Sequence, residues 1–215
     1  LIHADLSRLT RRTIIEMALR RQRPGTGSGV DFLMERTTMI EWPNLTPVLA
    51  PIHWAVVGAA ATRLYMPERM TKDFAVAITA ANARSARDKL RAAGFQFIAE
   101  LSVGGSRWQM TDGRLLDVIE GEDAWWDEAL NAAQSNYDAQ GLPILPLPYL
   151  VLMKFKASRT IDLGDITRML GLASDAELER VRVLFRHFAG EDLDDLESLI
   201  TLGKLEMGAG RGSDA

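Results

Sequence analysis

The sequence has no cysteine among its 215 residues. That excludes a disulfide framework and a thiolate zinc site, and it permits a reducing compartment. Histidine is almost as scarce: His3, His53 and His187 are scattered and show no metal-ligand spacing. No apolar run approaches the ~20 residues that a membrane-spanning helix needs. Charge of one sign is not in excess either. The formal net charge is -4, so nothing global draws the chain to nucleic acid. What is present is ordinary for a globular chain, with 47% hydrophobic and 25% charged residues. A sizeable core can be built, and the length suits one domain, or one domain with a helical extension.

Composition divides the chain into four stretches. Residues 1–33 begin with "LIHADLSRLTRRTIIEMALRRQR", which is basic and partly amphipathic, and continue with the linker-like "RPGTGSG". A transit peptide is one reading of this start, but no small-residue cleavage site follows an apolar core. The expectation is a peripheral helix, or a cloning or reading-frame artefact with Met34 or Met39 as the natural start. Residues 34–135 alternate strand-like and helix-like patterns. "NLTPVLAP" reads as a short helix or turn that Asn44 can cap. "HWAVVG", "DFAVAI" and "FQFIAEL" read as strands, and "SRWQMTDGRLLDVIEG" as a hairpin turning at Asp112-Gly113. "AAATRLYM", "ANARSARDKLRAAG" and "EDAWWDEALNAAQ" read as helices. Within the last, Trp125 and Trp126 are expected half in the core and half at its rim. Residues 136–205 open with the proline-stiffened "LPILPLPYL" and then read helical, punctuated by Gly164 and Gly171. Residues 206–215 are expected to be disordered. The fold class is therefore α/β (α+β). A small mixed sheet of four or five strands is flanked by helices and followed by a C-terminal helical region.

The chemistry concentrates between Trp54 and Ile78. An apolar strand ends at Gly58, where the absence of a Cβ lets a ligand approach the backbone. "PERMTKD" then leads into a strand that starts with an acid, Asp73. A later strand carries Asp117 among apolar neighbours, which is costly unless the carboxylate is paired, solvated or bound to metal. Other readings stand beside these. Asp73 suits a solvated turn with a salt bridge to Arg69 or Lys72, and Asp117 suits a cross-hairpin pair with Arg107 or Arg114. Lys154 and Lys156 suit the solvent face of a helix, and Arg159, Asp162 and Asp165 suit helix-surface ion pairs. The acidic "EDLDDLE" suits contact with a basic partner.

Three stretches taken together, "VVGAAATRLYMPERMTKDFAVAI", "GRLLDVIEG" and "PLPYLVLMKFKASRTIDLGDITRML", resemble the nucleotidyltransferase fold. Within it they resemble the group of the AbiEii-type toxin and related nucleotidyltransferase-like proteins. Gly58, Arg69, Thr71 and Asp73 match the family's first motif. Ala59 departs from its second small residue, and Ala75 stands where its second acid belongs. Asp117 matches the third carboxylate. Lys154, Ala157, Arg159, Asp162 and Asp165 look like the family's following helical segment. The resemblance implies transfer of a nucleoside monophosphate from an NTP to a hydroxyl on RNA, protein or a small molecule. It implies Asp73 and Asp117 as catalytic metal ligands, and Gly58, Ala59, Arg69, Thr71 and Lys154 as nucleotide contacts. It further implies Mg2+, one ion rather than two with Ala75 in place, and a cytoplasmic bacterial setting with an antitoxin-type partner. Two metal ions need acids at i and i+2 of one strand plus a third beside them. With Ala75 the two-metal reaction is impaired unless Glu120 or Glu122 substitutes. The alternative is a degenerate fold that binds nucleotide or a protein without catalysis.

Overall fold

The structure, a computed structural model, describes residues 2–21, 41–67, 71 and 73–208. The "RPGTGSG" linker, Met34, Met39, Arg69, Lys72 and the tail from residue 209 lie outside the described residues. The chain forms two compact units, a helical one with residues 1–37, 65–67 and 147–215, and a sheet one with residues 38–64 and 68–146. Helix α1 (Ile2–Arg21) belongs to the helical unit.

In the sheet unit, α2 (Thr46–Leu49) leads to strand β1 (Ala55–Val57) and the one-turn helix α3 (Gly58–Ala61), which tightens into a 3-10 turn over Thr62–Leu64. The helix expected from "AAATRLYM" is therefore shorter than its composition suggests. Asn44 does not take the N-cap position, which falls at Leu45, but one residue earlier its Oδ1 accepts the Thr46 N–H at 2.9 Å. Strand β2 (Phe74–Thr79), helix α4 (Ala83–Ala92), and strands β3 (Gln96–Glu100), β4 (Gly105–Gln109) and β5 (Leu115–Gly121) follow, then helix α5 (Trp126–Ala133). The strands form one mixed sheet of five in the order β1-β2-β5-β4-β3, with β2 and β5 parallel and the other pairs antiparallel.

Period-two alternation gives this sheet two different faces. Phe74, Val76, Ile78, Leu116, Val118 and Trp108 are all buried on one of them. Helix α4 lies on that side: Arg87 reaches Glu120, and the Arg91 guanidinium sits 5.7 Å from the Trp108 ring centre. Burying such a Leu, Val or Phe side chain contributes about 1.5–3 kcal/mol each, so this layer is the main source of the unit's stability. Trp125 and Trp126 are both buried, so the expected division between core and rim does not hold. The reason for Trp126 is local. Its Nε1–H donates to the Ile78 carbonyl at 2.6 Å, and its ring lies over Gly121, where a Cβ would come within 2.1 Å of it.

In the helical unit, α6 (Leu147–Ala157), α7 (Thr160–Leu172), α8 (Asp175–Phe188) and α9 (Leu193–Gly208) follow one another. Gly164 and Gly171 do not punctuate this run; both lie inside α7. The breaks fall instead at Ser158, which has a positive φ of 51°, and at Ser174. Gly171 has a packing role. Together with Gly203 it lets the backbones of α7 and α9 touch, since a Cβ on Gly203 would lie 2.1 Å from the Thr167 carbonyl oxygen.

Ser174 starts α8 with a reciprocal cap: its Oγ accepts the Glu177 N–H, and the Glu177 carboxylate accepts the Ser174 N–H at 2.8 Å. The Ser174 hydroxyl and N–H hold the Glu177 carboxyl below its usual 4.5. A carboxyl whose pKa is depressed on folding stabilises above its unfolded pKa and loses that contribution as pH falls through the folded value. Glu177→Gln keeps the capping acceptor without titrating. Its melting temperature is expected to lie below wild type at neutral pH and to converge on it as the wild-type carboxyl is protonated below 4.5.

Helix α1 is not peripheral to this unit. Arg11 is 6% exposed; its Nε donates to Asp195 at 2.9 Å, its Nη1 to Ser158 at 3.1 Å, and its guanidinium lies 3.9 Å from the Phe155 ring centre. Arg8 pairs with Glu191 and Asp192. The basic partner expected for "EDLDDLE" is thus supplied, at Glu191, Asp192 and Asp195, by the chain's own α1. No described helix is long and apolar enough to cross a membrane.

Candidate functional site

The second face of the sheet is where the candidate residues gather. Register places Val57 beside Ala75, Ala75 beside Asp117, and Asp117 beside Arg107, a row across β1, β2, β5 and β4. Partners in register share a face, so Ala75, Asp117 and Arg107 point the same way. Asp73 lies two residues before Ala75, just ahead of β2, and is exposed. Gly58 follows Val57 with φ of 67°, a left-handed conformation that glycine adopts without strain. A Cβ there would sit 3.4 Å from the Ala75 Cβ. The row therefore has a glycine turn at one end and an ion pair at the other.

The ion pair is bidentate. Arg107 Nε donates to Asp117 Oδ1 at 2.6 Å and Nη2 to Oδ2 at 2.7 Å. The Asp117 hydrogen bonds and charge, followed by the charge of Asp73, raise the Arg107 pKa above its ordinary value. With the Arg107 side chain 38% exposed, solvent screening keeps the pair to about 1 kcal/mol of stability. Its importance is chemical, because each carboxylate oxygen of Asp117 already accepts one guanidinium N–H and the carboxylate's charge is matched. Of the two arginines considered for Asp117, Arg107 takes the role, and Arg114 pairs with Asp112 in the turn.

Thr71 makes a local turn contact, its Oγ1 accepting the Asp73 N–H at 3.2 Å. Ala59 lies in α3, and Thr62 in the 3-10 turn after it donates back to the Ala59 carbonyl at 2.7 Å. Glu120 does not substitute for the acid missing at position 75. It is paired in register with Ile78, on the opposite face, and its carboxylate accepts from Arg87. Glu122 lies beyond the end of β5 and is exposed. Among the described residues, no group of three or more His, Asp or Glu side chains could hold a metal ion. With Asp117 engaged and alanine at 75, the donor set does not fit a two-metal centre. A single ion would have to share Asp117 with Arg107, through the lone pairs that the ion pair leaves open.

The remaining predicted residues form a separate cluster within the helical unit. Lys154, 4% exposed, donates from Nζ to Asp162 at 3.2 Å and to Asp165 at 2.8 Å. Arg159 reaches the same Asp162 at 2.6 and 3.2 Å. Two cations and two carboxylates balance across the α6–α7 junction. Lys154 is thus not on a solvent face, and these acids are not surface partners. Arg159 lies between Asp162's carboxylate and water, and that hydrogen bond raises its pKa.

No family model matches the chain, and no curated protein matches it. Among solved structures it is similar to the antibiotic-resistance factor ANT(2'')-Ia in solution, with 15% identity and a TM-score of 0.41 over 71% of this chain and 82% of that one. It is similar also to ANT(2'')-Ia in complex with adenylyl-2''-tobramycin, with 15% identity and a TM-score of 0.36 over 71% and 87% of the two chains. Likenesses of this size are too small to carry a fold family, a reaction or a substrate to this chain.

Proposed function

We propose that this chain is a nucleotidyltransferase-like protein that binds an NTP at the Gly58–Ala75–Asp117 row and has lost the transfer reaction. The observation that carries this reading is the register itself. A positive-φ glycine, the strand that Asp73 precedes and the strand bearing Asp117 lie side by side, in the arrangement that the motif resemblance implies. Loss of transfer follows from the same row, where Ala75 supplies no ligand and Arg107 holds Asp117. In-line phosphoryl transfer depends on cations placed at the phosphate oxygens, and a guanidinium tied to a carboxylate is already neutralised.

In this reading Gly58 and the backbone after it face the triphosphate, and Asp73, the exposed carboxylate, meets Mg2+ carried in with the nucleotide. Arg69 and Thr71 are the remaining nucleotide contacts that the resemblance assigns within this unit, whereas Lys154 is buried against Asp162 and Asp165 in the helical unit and is not one of them. A toxin–antitoxin setting, an RNA or protein partner and a cytoplasmic location rest on that sequence resemblance alone.

The test is equilibrium binding of labelled ATP, CTP, GTP and UTP to the full chain, with and without Mg2+. Saturable binding that weakens several-fold in Asp73→Ala is expected. Absence of binding to every NTP would overturn the reading and leave the sheet unit as a protein-interaction module.

A further inference from the structure

Two carboxylates are offered on the open half of the sheet's second face. Asp117 comes from β5, and Asp73 from the residue ahead of β2, in step with Ala75. A cation is already present. Arg107 binds both oxygens of Asp117, and the charge of Asp73 also acts on its guanidinium. The floor beside Asp117 is cleared rather than filled. Ala75 is its register neighbour on β2, and Gly58, next to Ala75 on the other side, has no side chain. At the far end of the same face Trp126 lies over Gly121, whereas Ala75, Asp117 and Arg107 are only half-buried.

A guanidinium and a divalent ion meet the same need by different means. Each offsets the repulsion of neighbouring carboxylates, but the guanidinium does so with fixed N–H donors and a single charge. An ion that shared Asp117 would use the open lone pairs of its oxygens. It would then sit beside a positive guanidinium that already matches the carboxylate's charge. The affinity of an oxygen site for a divalent ion follows the charge its ligands bring. With Asp117 matched by Arg107, Asp73 is the one carboxylate of the row left to such an ion, and a lone exposed carboxylate holds it weakly. As a stabilising device the pair is poor, since the Arg107 side chain is 38% exposed.

We propose that the Arg107 guanidinium is the resident cation of this row: it takes the place of a divalent ion at Asp117, and replacing Arg107 alone turns Asp73 and Asp117 into a divalent-cation site. The inference concerns the row of the proposed function and goes beyond it. There Arg107 accounts for lost transfer; here it sets which cation the row holds. In the wild-type chain an ion arriving with nucleotide meets Asp73 and the phosphates, while Asp117 stays with Arg107.

Mn2+ alone, added to the full chain without nucleotide, tests this, so the result does not depend on whether any NTP binds. Free Mn2+ is followed by electron paramagnetic resonance. Wild type is expected to show no Mn2+ site that depends on Asp117. Arg107→Gln is expected to gain one site per chain, roughly tenfold tighter than any in wild type, and Arg107→Gln with Asp117→Asn to lose it. Arg107→Lys keeps a cation at the position and is expected to behave as wild type. A melting temperature that rises with Mn2+ in Arg107→Gln but not in wild type is the second measurement, and it reports the folding of the variant at the same time. A wild-type Mn2+ site abolished by Asp117→Asn overturns the proposal, since ion and guanidinium would then share the carboxylate. No gain in folded Arg107→Gln, or a gain that survives Asp117→Asn, overturns it too, by showing that Asp73 and Asp117 do not converge on one ion.

Discussion

Replacing Lys154 with alanine is expected to cost the helical unit about 3–5 kcal/mol, because it leaves buried carboxylates without their cation. The size follows from burial. Asp162 is fully buried, Asp165 is 1% exposed, and Lys154 is 4% exposed. Without the ammonium, Asp165 loses the 2.8 Å hydrogen bond that matches its charge, and Asp162 keeps only Arg159. The loss does not mean that the cluster stabilises by that amount relative to apolar residues. Lys154→Met combined with Asp162→Asn and Asp165→Asn removes every buried charge of the cluster and leaves Arg159, 69% exposed, to water, and most of the stability is expected to return. Urea unfolding of the single and triple variants, followed by circular dichroism, separates the two quantities. A single variant as stable as wild type would show that the ammonium is not needed to match Asp165.

Gly203→Ala is expected to be nearly as damaging, about 3 kcal/mol or more, for a purely steric reason. The new methyl carbon would lie 2.1 Å from the Thr167 carbonyl oxygen and 2.7 Å from the Gly171 nitrogen, and both are backbone atoms. Neither can rotate away, so α9 must lift off α7 along its length. Gly171→Ala meets the same wall from the other side, with the Gly203 carbonyl oxygen at 2.3 Å. Gly164→Ala is the control: it lies in the same helix with nothing near its added Cβ, so alanine's better helix propensity should leave stability unchanged or raise it by up to ~1 kcal/mol. Thermal unfolding of the three variants checks this. Equal changes at 164 and 203 would mean that the backbone contact at Gly203 does not set the outcome.

Much of the sheet unit is legible in the sequence, and one part of the site was legible without being used. The strands over Ala55–Val57, Phe74–Thr79 and Gln96–Glu100 follow their apolar and alternating runs, and the hairpin turns at Asp112-Gly113 as its residue pair requires. That turn also fixes the partner of Asp117. Reflecting position 117 through position 112 gives 107, and the register pairs those two residues. Arg107 could therefore have been singled out over Arg114 from the position of the turn alone.

What was not legible depends on long-range packing. The shortness of α3 reflects its place between the sheet and the Arg63–Asp138 ion pair, 75 residues apart in sequence. Gly171 reads as a helix stop until α9 is beside it. The acids of "EDLDDLE" read as solvated until α1, 184 residues away, supplies Arg11. Lys154 likewise reads as a surface residue because the acids that bury it arrive only after the chain reverses at Ser158.

The central claim is that the row on the second face of the sheet retains a nucleotidyltransferase-like arrangement while Arg107 and Ala75 leave it without transfer chemistry. The most direct measurement is label transfer from α-labelled ATP, CTP, GTP and UTP onto total RNA or lysate, with Mg2+ or Mn2+ and the wild-type chain. The account predicts bound nucleotide and no transferred label. Transfer by the wild-type chain that disappears in Asp73→Ala and Asp117→Ala would contradict it, because the row would then support transfer chemistry with Ala75 and the Arg107–Asp117 pair in place.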